Sequence, residues 1–389
     1  MMRAFVPDVM TKWEIFCRVV DNYGDTGTCW RLARALAVRY GVDVRLWVDD
    51  WAALAKVCPE AVRDGIGVAG VELREWMEPF PLAEPADVVI EAFACELPVA
   101  HVRAMAARTP PPLWINLEYL SAEDWVRGCN GLPSPQADPA LTKYFFFPGF
   151  VEGTGGLIRE TGLLARRDRA LLECPCADWL RARGVTPPRA DALLVSLFSY
   201  EQPGIGGLLR RWQAGGKPVL LLIPEGKVLP GVEAALGAAL PPGARLERGA
   251  LRVAVLPFMG QDDYDGLLWR CDLNLVRGED SFVRAQWAGR PLAWHIYPQE
   301  DGAHLVKLEA FLALYRTGLG AAAAAALAGF WRAWNGGTET EAAAAWPAFA
   351  RALPEIGRHA RAWCAILGAR PDLVDELWRF CQHLRKKSG

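Results

Sequence analysis

Apolar positions along the chain fall into two alternating series of strand-like runs and helical stripes. The first opens at Glu14–Gly41, EIFCRVVDNYGDTGTCWRLARALAVRYG. A β-branched run breaks at Asp21-Asn22-Tyr23-Gly24-Asp25-Thr26-Gly27, and helical spacing resumes at Thr28 with Trp30, Leu32, Ala33, Leu36 and Ala37 before Gly41 stops it. Runs at 42–48, 71–74, 87–91, 113–117 and 143–147 predict further strands, with a helix over 97–107. Continuous apolar strands separated by helices specify a parallel sheet covered on both faces.

From Ser121 to about Asp191 the pattern weakens, and LLARRDRALL and CADWLRARG read as short helices. A second series follows: ALLVSLFSY, PVLLLI, LRVAVLPF, DLNLV and PLAWHIY as strands, with helices over 204–213, 232–239, 262–270 and 281–288 between them. The expected organisation is α/β: a Rossmann-like domain over 1–165, a linker over 166–189, and a second Rossmann-like domain over 190–369, the two facing across a cleft. Alanine-rich surface helices are expected within 320–345, then two helices, RAWCAILG and a last one over about 370–389 whose destination the pattern leaves open.

Composition narrows the function classes. The chain has 389 residues, half of them apolar, and a net charge of −2 with both signs interspersed, which disfavours nucleic-acid binding by bulk charge. The N-terminal MMRAFVPDVMTKWE lacks a signal-peptide core, and no apolar stretch is long enough to span a bilayer, so a cytoplasmic protein without a membrane partner is expected. Ten scattered cysteines read as reduced, mostly buried thiols. Cys174-Pro175-Cys176 has no partner pair, the five histidines show no ligand spacing, and no metal is expected.

Candidate chemistry lies at strand ends. Asp21 and Asp25 follow the first strand, where a ligand crevice forms in open parallel sheets; they are either chemistry or a turn residue and a helix cap. Arg277-Gly278-Glu279-Asp280-Ser281 joins a strand to a helix, and a helix start, a small residue and a nearby Arg suit a diphosphate. The two carboxylates suit sugar hydroxyls better, and Asp280 or Ser281 as a plain cap remains open. Phe198 and Phe258 stand at strand ends as base platforms or as core, with Gln261 able to read a base edge. Asp262-Asp263-Tyr264-Asp265 reads as an acidic first turn. The opening loop, DNYGDTG, is not a dinucleotide fingerprint.

These stretches, with VRLWVDD, LFSYE, LPFMGQDDYD and LVRGEDSFVRAQWAGRPLAWHIYPQEDGAHLVKLEAFL, resemble the bacterial protein-arginine rhamnosyltransferases that mature elongation factor P, over nearly the whole chain. The resemblance implies a GT-B glycosyltransferase that uses dTDP-β-L-rhamnose as co-substrate, inverts the anomeric centre, needs no metal or other cofactor, and modifies one arginine of elongation factor P. It implies Asp25 as general base, Asp21 beside it and Glu279 as a second required carboxylate. It also implies a donor site of Phe198, Tyr200, Phe258, Gln261, Arg277, Asp280, Ser281 and Tyr297. The competing expectations are a saccharide or lipid acceptor on the same fold, or a non-catalytic sugar-nucleotide module.

Overall fold

The computed structural model describes residues 11–21, 23–61, 65–66, 68–81 and 83–388. The first ten residues, on which the signal-peptide reading rests, and Asn22 of the opening loop lie outside them.

In chain order the first elements are β1 (Lys12–Cys17), α1 (Tyr23–Tyr40), β2 (Asp43–Val48), α2 (Trp51–Val57), β3 (Gly65–Ile66), β4 (Val71–Glu75) and β5 (Val88–Ala92). They continue with α3 (Val99–Ala107), β6 (Leu113–Leu117), α4 (Val126–Cys129), β7 (Pro133–Pro135), β8 (Thr142–Phe146), α5 (Leu163–Glu173) and α6 (Cys176–Arg181). The second series is β9 (Leu193–Leu197), α7 (Ile205–Gln213), β10 (Val219–Pro224), α8 (Leu229–Leu236), β11 (Arg245–Arg248), β12 (Leu251–Leu256), α9 (Gln261–Arg270) and β13 (Leu273–Arg277). It closes with α10 (Asp280–Ala288), β14 (Leu292–His295), α11 (Ala303–Tyr315), α12 (Ala321–Gly336), α13 (Glu339–Gly368) and α14 (Leu373–Ser388).

Two compact units result: residues 1–161 with 370–389, and residues 162–369. The first is built on the sheet β3-β4-β2-β1-β5-β6-β8-β7, parallel except for the edge strands β3 and β7. From β1 the chain builds outward through β2 on one side and later through β5 on the other, so strand order reverses between β1 and β5. Glu14, fully buried in β1, is satisfied by His101 Nε2 at 2.7 Å, Ala86 N at 3.2 Å and Trp47 Nε1 at 3.3 Å. The last helix belongs to this unit: Trp378 stacks on Tyr40 at 4.2 Å and on Trp13 at 5.7 Å, and Arg39 Nη1 donates to Asp372 at 2.7 Å and Asp375 at 2.9 Å.

The second unit carries the sheet β11-β12-β10-β9-β13-β14, parallel apart from β11, and its order reverses between β9 and β13. Every residue of β9, β10, β13 and β14 is buried, as expected of strands covered on both faces. Residues 166–189, read from sequence as a linker, contribute α5 and α6 to this unit, where Trp179 and Leu180 are buried. The segment RAWCAILG is not a separate helix. It ends α13, which runs on through Pro347 and Pro354 because Trp346, Phe349, Ile356 and Trp363 bury one face of it, while Thr338 and Glu341 close a capping box at its start.

Helices α9 and α10 are tied by an ion pair: Arg284 Nε and Nη2 donate to the two carboxylate oxygens of Asp265 at 2.8 and 2.5 Å, both residues 1 % exposed. Breaking a buried pair strands the other charge. Arg284→Ala is therefore expected to destabilise the protein by about 3 to 5 kcal/mol, measured by urea unfolding; a change under about 1 kcal/mol would mean that water already screens the pair.

Candidate functional site

Two sets of side chains gather at carboxyl ends of strands, one at each point of strand-order reversal. In open α/β sheets such points open a crevice between diverging loops.

In the first unit the helix starts earlier than its apolar spacing suggests. Helix α1 begins at Tyr23, so Asp25 stands in its first turn. The reason is in its hydrogen bonds: Oδ2 accepts the backbone N–H groups of Val20 and Asp21, each at 2.8 Å. The carboxylate thereby closes the loop from β1 and faces the positive end of the helix. Gly24 is required beside it, since a Cβ there would lie 2.6 Å from Asp21 Oδ2. Both carboxylates are buried, Asp25 at 3 % and Asp21 at 7 % exposure. Burial pushes the Asp25 carboxyl above its ordinary value; the two backbone N–H groups pull it down, and the charge of Asp49 adds to the rise.

A raised proton affinity in the folded state means that this group's contribution to stability is whole below the unfolded carboxylate's pKa of about 4 and is lost as pH rises through the folded value. At neutral pH the ionised side chain therefore costs stability. Asp25→Asn keeps an oxygen to accept the loop N–H groups and is expected to melt above the wild type at pH 7, with the gap closing toward pH 4. An equal or lower melting temperature at pH 7 would count against a strained carboxylate.

The loop after β5 is unusual. Phe93, Ala94 and Glu96 hold φ of 57°, 52° and 56°, a region that costs non-glycine residues on the order of 1 to 3 kcal/mol each. Asn116 Oδ1 accepts from Ala94 N at 3.2 Å, Glu91 Oε1 from Glu96 N at 3.1 Å, and Cys95 Sγ donates to Phe16 O at 3.4 Å. These bonds impose the conformation.

In the second unit the site is built round Arg277, which is 3 % exposed at the end of β13. Its guanidinium carbon lies 4.7 Å from the ring centroids of both Phe198 and Tyr200. Tyr200 meets Tyr297 edge to face at 5.5 Å, and Gly226 lets the Phe198 ring approach where a Cβ would come within 3.1 Å. Gly278 turns the chain at φ 57°, its N–H donating to His295 O at 3.2 Å and its carbonyl accepting Trp294 Nε1 at 2.7 Å. Ser281 Oγ is engaged with the N–H and carbonyl of Arg277, so the hydroxyl first of all locks this turn. Helix α10 starts at Asp280, one residue before the expected start, with Glu279 as its half-buried cap residue.

Phe198, Tyr200, Arg277 and Tyr297 thus form one contact cluster, and Glu279, Asp280 and Ser281 form the adjoining turn. Phe258 and Gln261 belong to the loop after β12 and the first residue of α9. Asp21 and Asp25 are on the first unit, Glu279 on the second.

Three residues of this region escaped the sequence reading. Tyr264, one turn after Gln261, has its ring 5.4 Å from that of Phe198, and burial pushes its phenol far above the ordinary value. The i, i+3 spacing from Gln261 was the available signal. Ser199 Oγ and His295 Nδ1 lie 2.7 Å apart in the interior. Burial, and after it the charge of Arg277, push His295 down to about 4, so it stays neutral beside that arginine.

The acidic run after Gln261 is not a cation cluster. Asp262 pairs with Arg166 at 3.4 Å and Asp263 with Arg183 at 2.6 Å. Among the described residues no three His, Cys, Asp or Glu side chains converge as metal ligands would. All ten cysteines are free, seven of them buried. Among the described residues no helix is long and apolar enough to cross a membrane.

Two parallel-sheet units with polar clusters at their switch points define a glycosyltransferase of the GT-B class. The fold resembles that of Acinetobacter baumannii MurG, at 13 % identity and a TM-score of 0.50 over 96 % of this chain and 99 % of that one. The model of the family described as elongation factor P (EF-P) rhamnosyltransferase EarP matches residues 13–382, and the chain belongs to that family. It is 54 % identical to the protein-arginine rhamnosyltransferase of Pseudomonas aeruginosa over 374 residues, covering 95 % of this chain and 99 % of that protein. A structure solved for EarP-mediated arginine glycosylation of translation elongation factor EF-P matches with 41 % identity and a TM-score of 0.68, over 96 % of this chain and 99 % of that one.

Proposed function

We propose that this enzyme transfers L-rhamnose from dTDP-β-L-rhamnose to one arginine side chain of elongation factor P, with inversion and without a metal ion. The observation that carries the reading is Asp25: a buried carboxylate of raised proton affinity, pinned by two backbone N–H groups at a switch point. A guanidinium is protonated in water and a poor nucleophile. As the bond from its nitrogen to the anomeric carbon forms, Asp25 takes the proton, while the bond from that carbon to the diphosphate oxygen breaks and its electron pair leaves with dTDP.

Asp21 neighbours the base and orients the guanidinium, and Glu279 is the second required carboxylate. Arg277, with Tyr200, Tyr297 and the N–H groups at the start of α10, takes up the charge growing on the leaving diphosphate. That stabilisation comes from the protein, which removes the need for a cation. Phe198, Phe258 and Gln261 hold the thymine, and Asp280 and Ser281 complete the donor site. A translation elongation factor as acceptor supports a cytoplasmic reaction.

Incubation of the enzyme with elongation factor P and dTDP-rhamnose should add one rhamnose mass to a single arginine, located by fragment mass spectrometry. An unmodified factor, with rhamnose transferred instead to an added saccharide or lipid, would point to one of those acceptors.

A further inference from the structure

The switch point of the first unit has two walls, the loop after β1 and the loop after β5, and the reading above uses only the first. The second wall is the left-handed segment Phe93–Glu96. Glu91, which holds Glu96 N, is 2 % exposed and is itself fixed by Trp114 Nε1 at 3.0 Å and Lys143 Nζ at 3.2 Å. Buried polar groups, together with the inward packing of Cys95 and Leu97, thus hold this left-handed path, while Ala94 and Glu96 face solvent. Strain that the surroundings impose in this way marks a segment shaped for a ligand.

What the segment presents is Phe93. Its ring, half-buried, stacks on Tyr119 just beyond β6, with centroids 4.5 Å apart and planes at 14°. Neither ring is part of the hydrophobic cluster of Phe16, Trp47, Trp76, Val89, Cys95 and Trp114. The bond from Cys95 Sγ to Phe16 O lays this loop over the end of β1, two residues before the chain turns toward Asp21. Flat aromatic surface beside carboxylates is chemistry for a planar cation: a guanidinium stacks on a ring face and offers its edge N–H groups to carboxylates, which an ammonium cannot do as well.

We propose that the Phe93–Tyr119 pair is the platform on which the acceptor's arginine side chain lies while Asp25 engages its end, with Glu91 and Asn116 as positioning residues. This rests on the reading that a protein arginine is the acceptor. It gives the left-handed loop a use, because this backbone path holds Phe93 against Tyr119 while Cys95 points inward.

The test is steady-state kinetics with elongation factor P as the varied substrate, together with calorimetric titration of dTDP. Phe93→Leu and Tyr119→Leu are expected to raise the acceptor KM roughly tenfold, with kcat at saturating acceptor and dTDP affinity near wild type; Tyr119→Phe keeps the wild-type KM. In the unmutated enzyme, the side-chain δ-proton resonances of the labelled acceptor arginine should move upfield on binding, as protons over a ring face do. That measurement stands even where a variant fails to fold. Wild-type acceptor KM in both leucine variants, dTDP affinity lost in step with acceptor affinity, or an unmoved arginine resonance overturns the platform. If the platform fails while the unmutated enzyme still adds rhamnose to the factor, the function stands without it. An unmutated enzyme that leaves the factor unmodified overturns both.

Discussion

Asp25→Asn is expected to bind dTDP as the wild type does and to lose roughly 10²- to 10⁴-fold in turnover, the range supplied by a positioned base. The substitution preserves shape and an accepting oxygen for Val20 N and Asp21 N. What it removes is the capacity to take a proton. The wild-type pH profile should carry the same signature. Because burial raises the Asp25 carboxyl, the acid limb of kcat/KM should lie above the ordinary carboxylate range near about 4 and should vanish in the variant. Single-turnover rates across pH, with the arginine modification read by mass, decide it. An acid limb unchanged in the variant's residual activity would assign the titration to another group.

Arg277→Ala should fail in the opposite way. Truncating a buried charge that meets a charged partner costs about 2 to 5 kcal/mol, so dTDP should dissociate about thirtyfold to several-thousandfold more readily. Phe198 and Tyr200 would lose the guanidinium packed against both rings, but they belong to the loop after β9, and the strand that carries them is unchanged. Arg277→Lys should recover only part of the loss, because an ammonium cannot present two parallel N–H groups to a diphosphate. Calorimetry on both variants separates the roles of Asp25 and Arg277. Equal loss of dTDP affinity in the two would refute the division between them.

Much of this architecture is written in the apolar pattern. A run such as Val219–Pro224, VLLLIP, carries no polar alternation because both faces are covered, and that signature survives without any tertiary information. Antiparallel edge strands were not legible: β3, β7 and β11 are two to four residues long, and Pro133–Pro135 reads as a turn. The continuity of α13 was hidden for a different reason. Two prolines argue locally for a stop, and only the aromatic face buried by Trp346, Phe349 and Trp363 outweighs them.

The candidate site shows the same division. That Asp21, Asp25 and the turn at Gly278 follow strands is visible in spacing, so their place at the carboxyl edge was foreseeable. Which of them doubles as a helix lock was not: the bonds of Asp25 to the loop N–H groups and of Ser281 to Arg277 depend on backbone angles. Glu14 makes the point in the core. A carboxylate in a strand reads as an outward residue, and the indole of Trp47, the ring of His101, the N–H of Ala86 and the guanidinium of Arg45 at 3.6 Å make its interior position tolerable.

The last helix, α14, has a bearing on how the polypeptide is born. Its Trp378 is sandwiched against Tyr40 and Trp13, and its Phe380 rests against Phe146 at 5.5 Å, so the first unit borrows a wall from residues that are made after the whole of the second unit. The second unit, continuous from 162 to 369, has all its parts while the first still waits for closure. A premature stop after Ala369 would therefore spare the second unit and cripple the one that carries Asp25.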